Sequence, residues 1–353
     1  MTTRVVQWAT GAMGRTILRR MIEHPDLDVV GALVYDPAKA GRDIGSIARL
    51  HDVGVTATAD PEAILSLDAD VVVHAARLQA PYTHHDDDLM RMLESGKNVI
   101  TINGHSAPGW WGSERLAGFA AAGRTGASTL MAAGLNPGFA LEQLAVTATG
   151  LCTTVESIQV SEVVDTTMMT DPSYVFGLLG FGSDPGVIDP NADGWAPAEL
   201  LGPMFTEVLA TAASRLGVKL DRVETAHRMF GATRDLEVGA GPIAAGSVAR
   251  TCWRWNGILA DRTFVSLSIE WTMEPDVSGA HERPTWHVEV RGEPDVTIDV
   301  EIRKPSGDPR RTTAEQYALA GAVLNAIPAV LDAAPGVAAT PLSTPWQRPS
   351  TGT

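Results

Sequence analysis

The stretch WATGAMGRTI, Trp8 to Ile17, decides how the rest of the chain is read. Gly11 and Gly14 hold the second and third places of a G-x-G-x-x-G turn, and Ala9 stands where the first glycine belongs. An apolar run, RVVQWA, precedes the turn. After it, Met13, Ile17, Leu18, Met21 and Ile22 recur at helical spacing. A glycine turn between a strand and an amphipathic helix sets free N–H groups and the positive end of a helix in front of an anion. Gly11 lets the backbone approach a phosphate, and Gly14 lets the helix lie close to the strand. Ala9 fits there only if its φ stays negative.

A second strand candidate, LDVVGALVYD, ends at Tyr35 and Asp36. Asp36 falls about 20 residues beyond Gly14, where a dinucleotide turn expects an acid for the ribose 2′-OH. The turn therefore reads as a dinucleotide site, with a glycine-rich bend in another α/β fold as the alternative. The alternative for Asp36 is an Asp-Pro turn residue. A carboxylate repels a 2′-phosphate and favours NAD, whereas Lys39 and Arg42 leave NADP open.

Outward from this turn, DADVVVHAA, KNVITIN and STLMAAG are further strand candidates separated by helical stretches. Such alternation predicts an α/β domain with a parallel sheet over residues 1–150. From Thr153 the period changes to two. Val265, Leu267, Ile269 and Trp271 alternate with polar residues, as do Trp286, Val288 and Val290, then Val296, Ile298, Val300 and Ile302. An α+β domain with a mostly antiparallel sheet is expected over 151–308, for substrate and dimerisation, with AELLGPMFTEVLATAASRLG as a helix. Trp253, Trp255, Trp271 and Trp286 are expected in its core. Thr312 and Glu315 form a capping-box pattern before QYALAGAVLNAIPAVLDAA, a helix expected to kink at Pro328. Residues 309–353 are expected to rejoin the first domain, and the tail TPLSTPWQRPSTGT to fray.

The chain has 353 residues, enough for two domains, and a net charge of −15 with no basic run. Nucleic acid is an unsuitable partner for that charge. Cys152 and Cys252 make neither a disulfide framework nor a zinc knuckle. Arg15, Arg19 and Arg20 interrupt any apolar leader, and no run reaches the ~20 apolar residues of a membrane span. A soluble cytoplasmic protein is expected. THHDDD, residues 83–88, matches no common metal spacing; Asp86, Asp87 and Asp88 suit a helix N-terminus with Thr83 as cap, and no metal is expected. His74 reads as a core or cofactor-edge residue.

Three stretches together, VVQWATGAMGR, GKNVITINGHSAP and AAGLNPGF, resemble the dihydrodipicolinate-reductase-like oxidoreductases. Within these the likeness is greatest to 2,4-diaminopentanoate dehydrogenases and native amine dehydrogenases, and WHVEVRGEPDV is similar to a late strand of that family. The resemblance implies a Rossmann domain, an α+β domain, NAD or NADP, a homodimer, and hydride transfer at a carbonyl- or imine-type carbon of a small molecule. It implies that Thr10, Gly11, Ala12, Met13 and Gly14 hold the pyrophosphate, with Tyr35, Asp36 and Lys39 at the ribose. Ala75, Ala76 and Arg77, then Asn103, Asn136 and Pro137, would lie beside the cofactor. Phe139, Glu142, Met168, Tyr174 and Phe176, with Met169 and Phe181, are candidates for an apolar substrate pocket.

The family's amine dehydrogenases carry a glutamate in the loop after the NVIT strand. Here the loop reads Ile102-Asn103-Gly104-His105-Ser106-Ala107-Pro108, and no carboxylate follows until Glu114. A carboxylate can hold an ammonium and take its proton; a glycine cannot. A histidine can act as general acid or base, so His105 is the candidate for proton transfer. The leading expectation is an NAD(P)-dependent oxidoreductase like the amine dehydrogenases. The others are an ammonia-independent carbonyl or imine reductase and a catalytically silent cofactor-binding protein.

Overall fold

The computed structural model describes residues 2–186 and 196–341, and they divide into two compact units. Unit 1 contains 1–78, 83–139 and 302–353; unit 2 contains 79–82 and 140–301. Residues 187–195, and 342–353, most of the tail expected to fray, lie outside the described residues.

Unit 1 begins with β1 (Thr3–Trp8), α1 (Ala12–Ile22) and β2 (Leu27–Leu33). The single-turn helices α2 (Ile44–Ile47) and α3 (Pro61–Leu65) follow, each capped by an aspartate, Asp43 and Asp60. Then come β3 (Val71–His74), α4 (Asp86–Glu94), β4 (Asn98–Thr101), α5 (Ser113–Gly126) and β5 (Thr129–Ala132). The chain leaves for unit 2 and comes back as a helix (Ala314–Asp332) and a short strand (Gly336–Ala338). That last strand extends β5, so the six-stranded sheet runs last strand, β5, β4, β3, β1, β2. Every pair in it is parallel. Consecutive valines serve such a sheet because both faces are covered. Val71 and Val73 join the cluster with Ile17, Leu18 and Met21 of α1, while Val72 joins that with Leu89 and Met92 of α4. The returning helix adds Leu319, Ala320, Val323, Leu324, Ile327 and Val330 to the first cluster. Each buried side chain of this size stabilises by about 1.5–3 kcal/mol.

One local expectation shifts. The capping box at the returning helix is Thr313 with Gln316, not Thr312 with Glu315: Gln316 N–H donates to Thr313 Oγ1 at 3.3 Å and Thr313 N–H to Gln316 Oε1 at 3.1 Å. A glutamine satisfies the motif as well as a glutamate, and Thr312 Oγ1 instead accepts from Arg19 Nη1 at 3.3 Å. That helix also continues unbroken through Pro328.

Unit 2 opens with helical turns from Ala140 that end in α6 (Val146–Ala148), followed by β6 (Thr154–Asp165) and α7 (Ala196–Arg215). Next come β7 (Arg222–Gly231), the hairpin β8 (Leu236–Val238) and β9 (Gly241–Ile243), β10 (Val248–Leu259) and β11 (Arg262–Thr272). The short α8 (Pro275–Ser278), β12 (Trp286–Glu293) and β13 (Val296–Val300) complete it. The sheet order is β13-β12-β6-β11-β10-β7. All neighbours are antiparallel except β6 and β11, which are parallel. Trp253, Trp255 and Trp286 are buried as expected, and Phe205 of α7 meets Trp255 with ring centroids 4.5 Å apart. Trp271 is only partly buried.

Among the described residues no helix is long and apolar enough to cross a membrane.

Candidate functional site

The turn after β1 is built around a close approach. A Cβ on Gly14 would lie 2.2 Å from the Ala9 carbonyl oxygen, so only glycine lets α1 sit there. A Cβ on Gly11 would meet nothing within 4 Å, which leaves the space before α1 open. Gly11 is the N-cap, no side chain caps the helix, and its first turn carries no acid. Its first N–H groups and its positive end are thus available to an anion, as a dinucleotide pyrophosphate requires. Met13, in that first turn, is partly exposed.

Ala9 departs from expectation. Its φ is +75°, in the left-handed region that costs a non-glycine residue about 1–2 kcal/mol. Gln7, fully buried in β1, holds it there: its Nε2 donates to the Ala9 carbonyl at 2.9 Å and to that of Val73 on β3 at 3.3 Å. Gln7 is the one amide side chain of β1, lying between the apolar Val6 and Trp8, and that position is the sequence signal for this role.

At the end of β2, Trp8 Nε1 donates to Tyr35 Oη at 2.9 Å. Asp36 caps the turn Pro37–Lys39, accepting from Ala38 N–H at 3.0 Å. Lys39 Nζ reaches back to the Thr10 carbonyl at 3.0 Å, which brings a cation to the glycine turn. Arg42 turns elsewhere, towards Ser46 Oγ at 3.4 Å.

The ends of β3 and β4 carry a polar cluster. His74 is fully buried; its Nδ1 meets Thr101 Oγ1 at 3.0 Å and its Nε2 has no hydrogen-bond partner. Burial holds this imidazole well below 6.5, with His85 and then His105 adding to the effect. Asn103 Nδ2 donates to the Ala76 carbonyl at 2.9 Å, and Asn103 N–H to Thr101 Oγ1 at 3.2 Å. His85 Nε2 meets the Arg77 carbonyl at 2.8 Å. Ala75, Ala76, Arg77 and Asn103 are thereby gathered at the carboxyl ends of adjacent strands, where open α/β sheets place ligands.

His105 lies in this cluster with 1% of its surface exposed. Its Nδ1 meets the Asn103 carbonyl at 3.2 Å and its Nε2 meets Asp86 Oδ1 at 2.9 Å. Asp86 also accepts two bonds from Arg115, at 2.6 Å from Nε and 2.9 Å from Nη2. The candidate proton carrier is thus an interior residue with each ring nitrogen engaged. Burial tends to raise the Asp86 carboxyl, but bonds from Arg115 and then His105 outweigh it, and the group lies below the ordinary 3.8. Thr83 does not cap α4: His85 occupies the N-cap without a side-chain bond. Asp86 does stand in the first turn, as expected, but faces His105 and Arg115. Arg115 was missed, because nothing near it in sequence signals an acid on α4.

The AAGLNPGF turn is closed on itself. A Cβ on Gly138 would lie 2.5 Å from Gly134 N, and Phe139 N–H donates to the Leu135 carbonyl at 2.7 Å. Asn136, Pro137 and Phe139 are partly buried. In unit 2, Glu142 is buried and its charge favours that of Arg215 on α7, although burial lowers Arg215 more. Met168 is 74% exposed, Tyr174 and Phe176 are partly buried, and Phe181 is buried. A cavity of about 380 Å³ in unit 2 is lined by Met229, Phe230, Arg250, Thr272, Glu274 and Val277, among others.

Comparison with known proteins follows the same division. Residues 5–100 match the family described as dihydrodipicolinate reductase, N-terminus. Residues 139–346, more than half the chain, match the family described as 2,4-diaminopentanoate dehydrogenase C-terminal domain. The chain belongs to the 2,4-diaminopentanoate dehydrogenase C-terminal domain family. An amine dehydrogenase of Streptomyces virginiae is 28% identical, over 94% of this chain and 93% of that one. A 4-hydroxy-tetrahydrodipicolinate reductase of Methanopyrus kandleri is 42% identical over 20% of this chain and 26% of its own. The solved structure of an amine dehydrogenase from Mycobacterium smegmatis has the same fold: TM-score 0.78, 20% identity, covering 96% of this chain and 95% of that one. Membership of this family makes the protein an NAD(P)-dependent oxidoreductase related to the amine dehydrogenases.

Proposed function

We propose that the protein transfers hydride between a bound nicotinamide dinucleotide and the carbon of a small apolar ketone, imine or amine. The observation that carries this is the uncapped, open N-terminus of α1 in front of Gly11, in a chain of this family. When bound, the nicotinamide supplies or accepts the hydride. Thr10, Gly11, Ala12, Met13 and Gly14 would hold the pyrophosphate through the helix end. Tyr35 and Asp36 would flank the ribose. We favour NAD, since Asp36 repels a 2′-phosphate, although Lys39 at the Thr10 carbonyl gives NADP a cation to meet. Ala75, Ala76, Arg77, Asn103, Asn136 and Pro137 would border the nicotinamide, and Phe139, Glu142, Tyr174 and Phe176 the substrate. A cytoplasmic homodimer completes this reading.

Amine chemistry in this family resembles that of enzymes with a loop glutamate. A specific observation favours a second reading, reduction of a carbonyl or imine without ammonia: the loop 102–108 has no carboxylate, and Asp86, which approaches it, is committed to Arg115 and His105. Both readings are separated by following NADH and NADPH oxidation with a panel of C3 to C6 aliphatic aldehydes and ketones, with and without ammonium chloride. Ammonium-dependent turnover supports amine formation and calls for another group to handle ammonia. Ammonium-independent turnover supports the reductase. Cofactor binding without turnover overturns both and leaves a silent binding role.

A further inference from the structure

A continuous chain of hydrogen bonds runs from a helix surface to the carboxyl ends of two strands. Arg115, in the first turn of α5, grips Asp86 at the start of α4 with two bonds. Asp86 meets His105, His105 meets the Asn103 carbonyl, and the Asn103 side chain donates to the Ala76 carbonyl. The His105 ring packs edge-on to Phe119 at 5.9 Å, and the Arg115 guanidinium lies 5.7 Å from the same ring. Two consecutive residues of this turn, Gly104 at φ +81° and His105 at φ +68°, are left-handed. Glycine adopts that shape freely; histidine does not, so something must hold it.

We propose that Asp86 and Arg115 are positioning residues: through His105 they set the Asn103–His105 turn and the Ala76 carbonyl, the backbone that borders the reacting end of the cofactor. This rests on the oxidoreductase reading for where the cofactor lies; the clamp itself stands on the distances above. The chemistry of the clamp suits the task. The His105 ring is met on both sides, by the Asp86 carboxylate at Nε2 and the Asn103 carbonyl at Nδ1, so its orientation is fixed from two directions. The two-pronged guanidinium fixes the carboxylate plane in turn. A buried carboxylate between a guanidinium and an imidazole cannot swing away without leaving charges uncompensated. The clamp's acid lies 19 residues before the histidine, outside the loop whose conformation it controls.

The test uses the full chain and four variants: Asp86→Asn, Arg115→Met, Arg115→Lys and Asp261→Asn, the last a control at an exposed residue of unit 2, away from the clamp. Three quantities are read. They are kcat and KM for the best aldehyde or ketone of the panel, Kd for NADH and NADPH by fluorescence, and the exchange-protected His105 ring N–H by ¹⁵N-resolved NMR. Asp86→Asn and Arg115→Met are expected to lower kcat at least tenfold while cofactor Kd stays within threefold. Arg115→Lys should recover more than half of the Arg115→Met loss, because an ammonium still reaches the carboxylate. The protected His105 signal should be present in the wild type, disappear in Asp86→Asn and persist in Asp261→Asn. Folded variants with wild-type kcat, or a His105 signal indifferent to Asp86→Asn, would overturn the proposal. If no panel member is turned over by the wild type, the oxidoreductase reading fails on that count alone, and the ring signal still decides whether the clamp exists.

Discussion

Two turns of unit 1 solve the same backbone problem by different means. The turn after β1 and the turn after β4 each place a non-glycine residue in the left-handed region, Ala9 at φ +75° and His105 at φ +68°. Ala9 is held from inside its own strand pair by Gln7, and its side chain contributes nothing to the arrangement beyond a methyl group. His105 is held by its own ring, through Asp86 and Arg115 on two helices. The first turn is therefore a local device, and the second depends on tertiary partners. The difference shows in what each turn would lose on becoming glycine.

Breaking the second turn should cost most. Asp86→Ala leaves the part-buried Arg115 guanidinium and the buried His105 ring without their carboxylate, and a loss of about 3–5 kcal/mol in unfolding free energy is expected by urea titration. Next comes Gly14→Ala, whose Cβ would strike the Ala9 carbonyl; about 3 kcal/mol of stability and most cofactor affinity should go, read by urea titration and NADH fluorescence. His105→Gly relieves the backbone but removes the ring that donates to Asp86, for a net loss of about 2 kcal/mol in the same assay.

Acid titration probes the polar cluster between the turns. His74 is neutral when folded and its value lies below 6.5, so its contribution is full above that pH and declines as pH falls through the folded value. Replacing it by Gln should remove up to about 1.4 kcal/mol per pH unit from the stability slope below pH 6.5. Asp86 acts with the same sign in a lower window, beginning below 3.8. The smallest effect has the opposite direction. Ala9→Gly should stabilise by about 1 kcal/mol with cofactor binding retained, since glycine accepts the left-handed φ without strain. A loss at Ala9→Gly, or a gain at His105→Gly, would erase the contrast between the two turns.

The contrast also explains what the sequence disclosed. The glycine turn, the run of buried valines at Val71–Val73 and the alternation along β11, β12 and β13 are local signals, and the periods of two and 3.6 carry them. The family resemblance rests on motifs of the same local kind. The clamp on His105 is not local. Its carboxylate and guanidinium are 29 residues apart on different helices, and the run Asp86-Asp87-Asp88 reads by itself as a helix start. The sign of φ at Ala9 is equally hidden, because the amide that permits it sits two residues earlier, where its contact with the Ala9 carbonyl shows only in three dimensions. The choice of Thr313 over Thr312 shows the same limit at one-residue scale: two threonines and two acceptors offered two registers, and Arg19 took one threonine.

The helix 314–332 and the strand 336–338 bear on the order of events during synthesis. Seven residues of that helix complete the cluster that includes Val5, Ile17 and Val73, yet they are translated after all of unit 2. While the ribosome is still making unit 2, the nascent first 139 residues carry a sheet whose strand β5 is paired on one side only, with β4, and whose α1-side cluster lacks the part that helix 314–332 supplies. The glycine turn after β1, first to leave the ribosome, is consequently among the last parts of the molecule to gain its full support, and a chain stopped short of Ala338 would be born with a sticky, unfinished half.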